Sequence, residues 1–254
     1  MNCKVKSVSS NEIIMQGLPS YTIFPLGDSA LTIDFGNVID PGINGRVVSL
    51  FHHLTKRPLA AVKESVPAYS SITIYYDFFE ANKHKEADQT AFEWMKQQVE
   101  QMITEGFEIK LSAGNNMRIP VCYTEEFAPD IKTIAEANGI SAEDVISIHT
   151  SGAYKVFMLG FLPGFAYMGE LDEKISYARK PNPEMLKAGS VGIAGRQTGI
   201  YPLDSPGGWQ IIGRTPLELF NKKNDQLTLL NAGDSVLFYS ITKDEFEDIK
   251  ARNT

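Results

Sequence analysis

Arg214 closes the apolar run Ile211-Ile212-Gly213. A guanidinium at the end of a β-prone segment is either a solvated strand-end charge or a planar fork offering paired N–H donors to a carboxylate. His149 follows Val145 by four residues and Ile146 by three, so a helix there turns it partly onto the apolar face. It is then either a satisfied core histidine or a proton carrier with the ordinary imidazole pKa of about 6.5. Gln197 and Tyr201 can offer neutral hydrogen bonds to an amide; the alternatives are loop polarity and a packed ring. Ser205 precedes Pro206 and suits a turn-forming hydroxyl. No adjacent His or Lys motif marks it as an activated nucleophile.

Glycine placement is the second chemical signal. Eleven of the 20 glycines lie between Gly152 and Gly213, and glycine weakens a strand, so the density needs a cause. Tight turns explain Pro206-Gly207-Gly208. The spacing Gly189, Gly192, Gly195, Gly199 falls within β-prone sequence and points to a backbone approached closely by a ligand or a partner. Gly195 therefore joins Gln197, Tyr201 and Ser205 as a candidate substrate-binding position. No Gly-Lys-Ser/Thr closes this stretch, and no Gly-x-Gly-x-x-Gly opens a helix, so nucleotide binding by those routes is excluded. Phe161-Leu-Pro-Gly-Phe165 puts apolar side chains around a Pro-Gly turn. Phe161, Pro163, Phe165 and, further on, Trp209 are either core or an apolar surface that another chain covers.

Charge narrows the ligand class. A net charge of −7 argues against nonspecific nucleic-acid binding. Yet Arg179 to Pro216 holds five basic residues against two acids, which either suits a small anion or is a chance fluctuation of charge. Two cysteines, Cys3 and Cys122, make no disulfide framework and no metal-site spacing. His52-His53 and His84 have no metal spacing either, so no metal site is expected. Asp28 reads as a turn or capping residue. No run is long and apolar enough to span a bilayer, and Met1 to Glu12 lack the apolar core of a signal peptide. A cytoplasmic protein is expected.

The elements that must position these residues fall into two textures. Strands are predicted at Tyr21–Phe24, Ala30–Phe35, Leu59–Val66, Ser70–Tyr76 and Phe107–Leu111. Helices are predicted where Val47, Leu50, Phe51 and Leu54, and then Phe92, Met95, Val99, Met102 and Ile103, recur at helical spacing. That order reads as an α+β N-terminal domain, a ferredoxin-like split βαβ, over residues 1–110. Ser112–Asn116 reads as a linker. Beyond it, helices at Asp130–Ala137 and from Ser141 precede short β-prone runs at Tyr154–Met158, Ser190–Ala194, Trp209–Ile212, Gln226–Leu230 and Ser235–Tyr239. A helix over Asp244–Arg252 ends the chain. Residues 111–254 therefore read as a barrel or sandwich domain.

Three segments carry a family resemblance. They are Tyr154-Lys-Val-Phe-Met-Leu-Gly-Phe-Leu-Pro-Gly-Phe-Ala-Tyr167, Gly189-Ser-Val-Gly-Ile-Ala-Gly-Arg-Gln-Thr-Gly-Ile-Tyr-Pro202 and Ser205-Pro-Gly-Gly-Trp-Gln-Ile-Ile-Gly-Arg-Thr215. Together with Pro25-Leu-Gly-Asp-Ser-Ala-Leu31 and His149, they resemble the allophanate hydrolase subunit 1 family. Its members include the B-type subunit of ATP-dependent 5-oxoprolinase, the inhibitor of sporulation kinase A, and one half of the carboxyltransferase region of urea carboxylase.

The resemblance implies an α+β domain followed by a cyclophilin-like β-barrel. It implies a partner of the allophanate hydrolase subunit 2 type (the C-type subunit) and, for a 5-oxoprolinase, a third subunit. The assembly would open 5-oxoproline to glutamate using ATP, with no cofactor bound by this chain and no turnover by it alone. It gives His149 and Arg214 catalytic roles on a small anionic amide. Two alternatives share the same motifs: inhibition of a sensor histidine kinase through the barrel, and a carboxyltransferase or allophanate hydrolase role in urea breakdown. The chain departs from the family pattern in one place. Where members commonly carry a Pro-Arg pair shortly before a Val-Pro-Ala-Gly-Ser run, it has Pro181-Asn-Pro-Glu-Met-Leu-Lys-Ala-Gly-Ser190, leaving Arg179 or Lys187 to compensate.

Overall fold

The computed structural model describes residues 20–107, 109 and 114–252, which divide between Ala113 and Gly114 into two units. Cys3, the Met1–Glu12 segment and the first residues of the expected linker lie outside the described residues.

In the first unit, the turn at Gly27-Asp28 joins β1 (Thr22–Pro25) to β2 (Ala30–Asp34) as an antiparallel hairpin. Helix α1 (Pro41–Lys56) starts where Asp40 Oδ1 accepts the Ile43 N–H at 2.8 Å and proline takes the first turn. Strands β3 (Val62–Pro67) and β4 (Ser71–Tyr76) complete an antiparallel sheet of order β1-β2-β4-β3. Two helices follow, α2 (Phe78–His84) and α3 (Ala91–Glu105). The latter opens on a reciprocal capping box between Thr90 and Glu93. Alternate sheet residues Leu31, Ile33, Ile72, Ile74 and Tyr76 form one core with Val47, Leu50 and Leu54 of α1 and Trp94, Met95, Val99 and Met102 of α3.

This is a mixed α/β unit, but all four described strands precede α3. The closing strand expected over Phe107–Leu111 is not seen at Phe107 or Ile109; its other residues lie outside the described set. One sheet edge is held instead by β1, which the tight hairpin folds back onto β2.

The second unit builds around a seven-stranded sheet. In chain order its elements are β5 (Asn116–Val121), α4 (Ile131–Asn138), α5 (Ala142–Ser151), β6 (Ala153–Leu159) and β7 (Ala166–Gly169). There follow β8 (Glu184–Leu186), β9 (Ser190–Ala194), β10 (Gln197–Ile200), β11 (Ser205–Gly207), β12 (Gln210–Arg214), β13 (Ser235–Ser240) and α6 (Lys243–Arg252). The sheet order is β12-β9-β10-β7-β6-β13-β5, with β8 and β11 a separate ribbon.

The sheet curls into a half-barrel, and a single bridge ties its two edge strands together at one end. Cys122, just past β5, donates its N–H to the Arg214 carbonyl at 2.9 Å and accepts the Arg214 N–H at 3.0 Å. Glycine is required at this seam, because a β-carbon on Gly213 would lie 2.5 Å from Val121 Cγ1. Inside the curl, Ile119, Val121, Val156, Met168, Val191, Ile193, Ile200, Ile212, Val236 and Phe238 form the core.

Gln226–Leu230 is not the expected strand; it carries only a single bridge, Phe220 to Thr228. Its β-like composition reflects anchoring, since Leu230 is fully buried while the segment runs as a loop. No helix among the described residues is long and apolar enough to cross a membrane.

Candidate functional site

Strand register explains the glycine spacing. Met158, Tyr167, Gly199, Gly192 and Ile211 are successive cross-strand partners on β6, β7, β10, β9 and β12. Pleating sends their neighbours Met168, Ile200, Val191, Ile193 and Ile212 into the main core, where the bulge between Val156 and Met158 also places Val156, so this row lies on the opposite face. The two glycines leave a trough there. A β-carbon on Gly199 would stand 3.0 Å from Trp209 Cζ3 and 3.1 Å from Phe165 Cζ, and one on Gly192 would stand 3.0 Å from Trp209 Cβ. Trp209 and Phe165 therefore settle directly on the sheet. With Leu186, Ala194, Tyr201 and Ile211 they form a second apolar cluster, against which Leu162 and Tyr167 pack.

Phe165 makes edge contacts with Tyr201 at 5.0 Å and Trp209 at 5.4 Å between ring centres, the geometry that aromatic quadrupoles favour. The Arg179 guanidinium lies 5.7 Å from the Trp209 ring. Burial raises the pKa of Tyr201 and of Tyr167, with Arg179 opposing the rise in each. Both phenols are therefore neutral donors at neutral pH.

Above this cluster the β6–β7 turn presents Phe161. The Leu162 N–H donates to the Gly160 carbonyl at 2.8 Å, and Phe161 between them has φ +68°. That is a strained γ-turn conformation for a residue with a side chain, costing on the order of 1–3 kcal/mol. The ring is 63% exposed and stands edge-on to Phe165 at 5.8 Å. Pro163 is also exposed, whereas Phe165 and Trp209 are 1% and 4% exposed. Of the four residues expected at a partner surface, Phe161 and Pro163 face outward. Phe165 and Trp209 are covered by their own chain, because the glycine row lets them sink onto the sheet.

His149 lies inside the curl and is fully buried. Tyr123 Oη is 2.8 Å from its Nδ1, and Thr198 Oγ1 is 3.0 Å from its Nε2. Thr198 spends its hydroxyl proton on the Gly192 carbonyl at 3.1 Å, so it must accept from Nε2–H. Nδ1 is then the acceptor for the Tyr123 hydroxyl. The imidazole also stacks on Phe238 at 4.5 Å. Burial lowers its pKa to about 3. Both nitrogens are engaged by the protein's own neutral groups, and the geometry is that of a satisfied core histidine rather than a proton carrier facing substrate.

Arg214 stands elsewhere, beside the seam. Its Nε donates to the Ala188 carbonyl at 2.9 Å, and its guanidinium lies 5.7 Å from the Phe127 ring. It lines a cleft of about 470 Å³. Gly195 is at the exposed β9–β10 turn, its N–H on the Tyr177 carbonyl at 2.7 Å. Gln197 opens β10 half-buried, opposite Ala194. Ser205 is 6% exposed, and its Oγ has no hydrogen-bond partner among the described residues. The expected site residues are thus not one constellation: Tyr201 belongs to the aromatic cluster, Arg214 to the cleft, His149 to the core, and Gly195 and Gln197 to the hairpin.

Of the two cations considered as substitutes for the missing arginine, Arg179 reaches the aromatic cluster. Lys187 is exposed and paired with Asp204 at 2.8 Å. Lys180 is a feature that sequence reading left aside. Its ammonium bridges Asp130 at 2.9 Å and Glu184 at 2.7 Å, and Asp130 also accepts the Ile211 N–H at 2.6 Å. This tie joins the start of α4, the β8 ribbon and β12. Its partners lie 50 residues before it and 4 after it, so no local motif announces it.

A mixed α/β unit followed by a curled sheet is an arrangement that known proteins share. Residues 21–230 match the model of the carboxyltransferase domain, subdomain C and D, and the chain belongs to that family. It is 43% identical over 232 residues to the B-type subunit of the Bacillus subtilis 5-oxoprolinase, covering 91% of this chain and 97% of that one. The B-type subunit of the Haemophilus influenzae 5-oxoprolinase is 39% identical over 180 residues, covering 70% and 78%. Urea amidolyase of Lachancea kluyveri is more distant, 27% identical over 252 residues, and the chain spans 14% of its length.

Among solved structures, a conserved uncharacterized protein of Pyrococcus horikoshii is 42% identical with a TM-score of 0.51, covering 89% of this chain and all of that one. The crystal structure of TTHA0988 matches with a TM-score of 0.71 at 28% identity, covering 84% of this chain, which spans 40% of the other. These matches agree with the resemblance carried by the three glycine-rich segments.

Proposed function

We propose that the chain acts as the B-type subunit of an ATP-dependent 5-oxoprolinase, opening 5-oxoproline to glutamate together with partner subunits. The observation that carries this reading is 43% identity extending over 97% of the corresponding Bacillus subtilis 5-oxoprolinase chain. Hydrolysis of the lactam breaks the ring C–N bond, adds one water, and leaves a carboxylate and an amine. ATP is used by the assembly. The urea-directed reading has weaker support, because the urea amidolyase match is more distant and spans a small part of that protein.

On this reading the chain contributes a wall of a composite site and turns nothing over alone. A C-type subunit and one more protein supply the rest. Phe161 and Pro163, held outward on a strained turn, are the residues that support docking, and the chain works in the cytoplasm. Co-expression with the partner subunits tests the reading. ATP-dependent glutamate release from 5-oxoproline by the complex, and none by the chain alone, is the expected result. An assembled complex inert toward 5-oxoproline would overturn it.

A further inference from the structure

We propose that the outer face of the N-terminal sheet is a second docking surface, shaped for an apolar protein surface rimmed by lysine or arginine. Strand register defines the face. Phe24, Thr32, Thr73 and Val66 are successive cross-strand partners on β1, β2, β4 and β3. Ala30, Tyr75 and Glu64 form the next row, which Leu26 extends by donating its N–H to the Ala30 carbonyl at 2.8 Å. Their neighbours Leu31, Ile33, Ile72, Ile74 and Tyr76 pack with α1 and α3, so these two rows lie on the face turned away from those helices.

A sheet with one solvated face normally alternates apolar inside with polar outside. Here Phe24, Leu26 and Tyr75 are 42%, 51% and 41% exposed, and Val66 is exposed as well. Ala30 and Thr32, buried between them, make a low floor flanked by larger side chains. Apolar groups gathered on one sheet face mark a surface that another chain covers.

Charge selects the occupant. The charged side chains on this face are acidic: Asp34, the cross-strand partner of Thr22 and Ser71, and Glu64, opposite Tyr75. Asp28 adds a third acid at the turn between β1 and β2. None of the three makes an ion pair among the described residues. Lys63, in the β3 bulge beside Glu64, is taken by Asp77 at 3.0 Å.

A second copy of this chain would set the same acids against one another, and like charge across an interface opposes docking. An anionic lipid surface is disfavoured on the same ground. A protein with an apolar centre and a basic rim satisfies both features of the face. The edge strands β1 and β3 each end in proline, and β3 is bulged. Both devices blunt strand addition, so the partner seats on the face rather than extending the sheet. That this partner is a co-subunit of the complex rests on the functional reading above; the chemistry of the face does not.

Association of the full chain with its co-expressed partner subunits, measured by co-purification and by titration at low and high salt, tests the inference. The variants are Phe24→Thr, Tyr75→Thr, Glu64→Gln and Glu64→Lys. These positions are exposed and threonine suits a strand, so melting temperatures should stay close to wild type. We expect each threonine variant to weaken association about tenfold or more. Glu64→Gln should weaken it about two- to threefold and flatten its salt dependence, and Glu64→Lys should weaken it further. Glu64→Lys decides if a threonine variant does not fold.

Unchanged association in the folded variants overturns the surface, as does a wild-type chain that joins no partner subunit. Self-association that Tyr75→Thr abolishes also overturns it, and gives the face to a second copy. Should the complex open 5-oxoproline while these variants assemble normally, this inference alone fails. Should the complex be inert toward 5-oxoproline while the variants still weaken assembly, the functional reading fails and the surface stands.

Discussion

Thr198 Oγ1 lies 3.0 Å from His149 Nε2 and 3.1 Å from the carbonyl oxygen of Gly192, and that second bond fixes which way the first one runs. The hydroxyl has a single proton to give, so the chain Tyr123, His149, Thr198, Gly192 is directional and complete. It links the inside of the curled sheet to the backbone on whose other face Trp209 rests.

Acid should unfold the protein partly through this histidine. Its folded pKa, about 3, is below the unfolded value, so unfolding takes up a proton between roughly pH 6.5 and pH 3. The contribution is whole above that window and is lost as pH falls through it, with a slope of at most about 1.4 kcal/mol per pH unit. Urea titrations at pH 7, 5.5 and 4.5 measure the slope. His149→Phe should flatten it and cost on the order of 1–3 kcal/mol at neutral pH, by stranding the buried Tyr123 hydroxyl, while Thr198 keeps its bond to the Gly192 carbonyl.

Filling the glycine trough should displace the indole. Gly199→Ala places a methyl 3.0 Å from Trp209 Cζ3 and 3.0 Å from the Ala166 carbonyl oxygen, a degree of overpacking that typically costs about 1–3 kcal/mol. The emission of Trp209, isolated in a Trp94→Phe background, should shift toward longer wavelength. An unshifted spectrum would mean that the aromatic cluster is not seated on this glycine.

Ser205→Ala should be tolerated. The hydroxyl is buried without a partner among the described residues, and an unsatisfied buried polar group carries a penalty of about 1–3 kcal/mol. Its removal should leave the melting temperature equal or higher, with complex activity retained. A large loss of activity would restore Ser205 to the substrate site.

Phe161→Gly should separate folding from assembly. Glycine accepts the positive φ freely, so the isolated chain should melt no lower than wild type. Losing an exposed aromatic anchor should weaken association with the partner subunits by roughly tenfold or more. Co-purification yield and a binding titration measure this; unchanged affinity would remove Phe161 from the interface.

Local signals were legible in part: the apolar spacing of α1 and α3 and the Ser141 start of α5 stand in the sequence, while the Asp40 and Thr90 caps emerged only with the structure. Asp40-Pro41, Thr90 with Glu93, and Ser141 with Asp144 start helices through contacts spanning a few residues. The glycine-rich segments marked a region built on close approach. What stayed hidden depends on contacts distant in sequence. His149 read equally as core or catalyst because its partners, Tyr123 and Thr198, are 26 and 49 residues away. Strands β8 and β11 hold three residues each, too few to show alternation. Met117–Val121 followed a polar linker and was missed; its strand identity comes from parallel pairing with β13. The cleft draws Arg214, Lys223 and Lys250 from three separate segments.

The seam gives Arg214 two offices in one residue: the main chain latches β12 to Cys122 while the side chain reaches the cleft. Because both seam hydrogen bonds are made by main-chain atoms, a side-chain substitution at Arg214 would remove the guanidinium from the cleft while leaving the latch's own bonds in place.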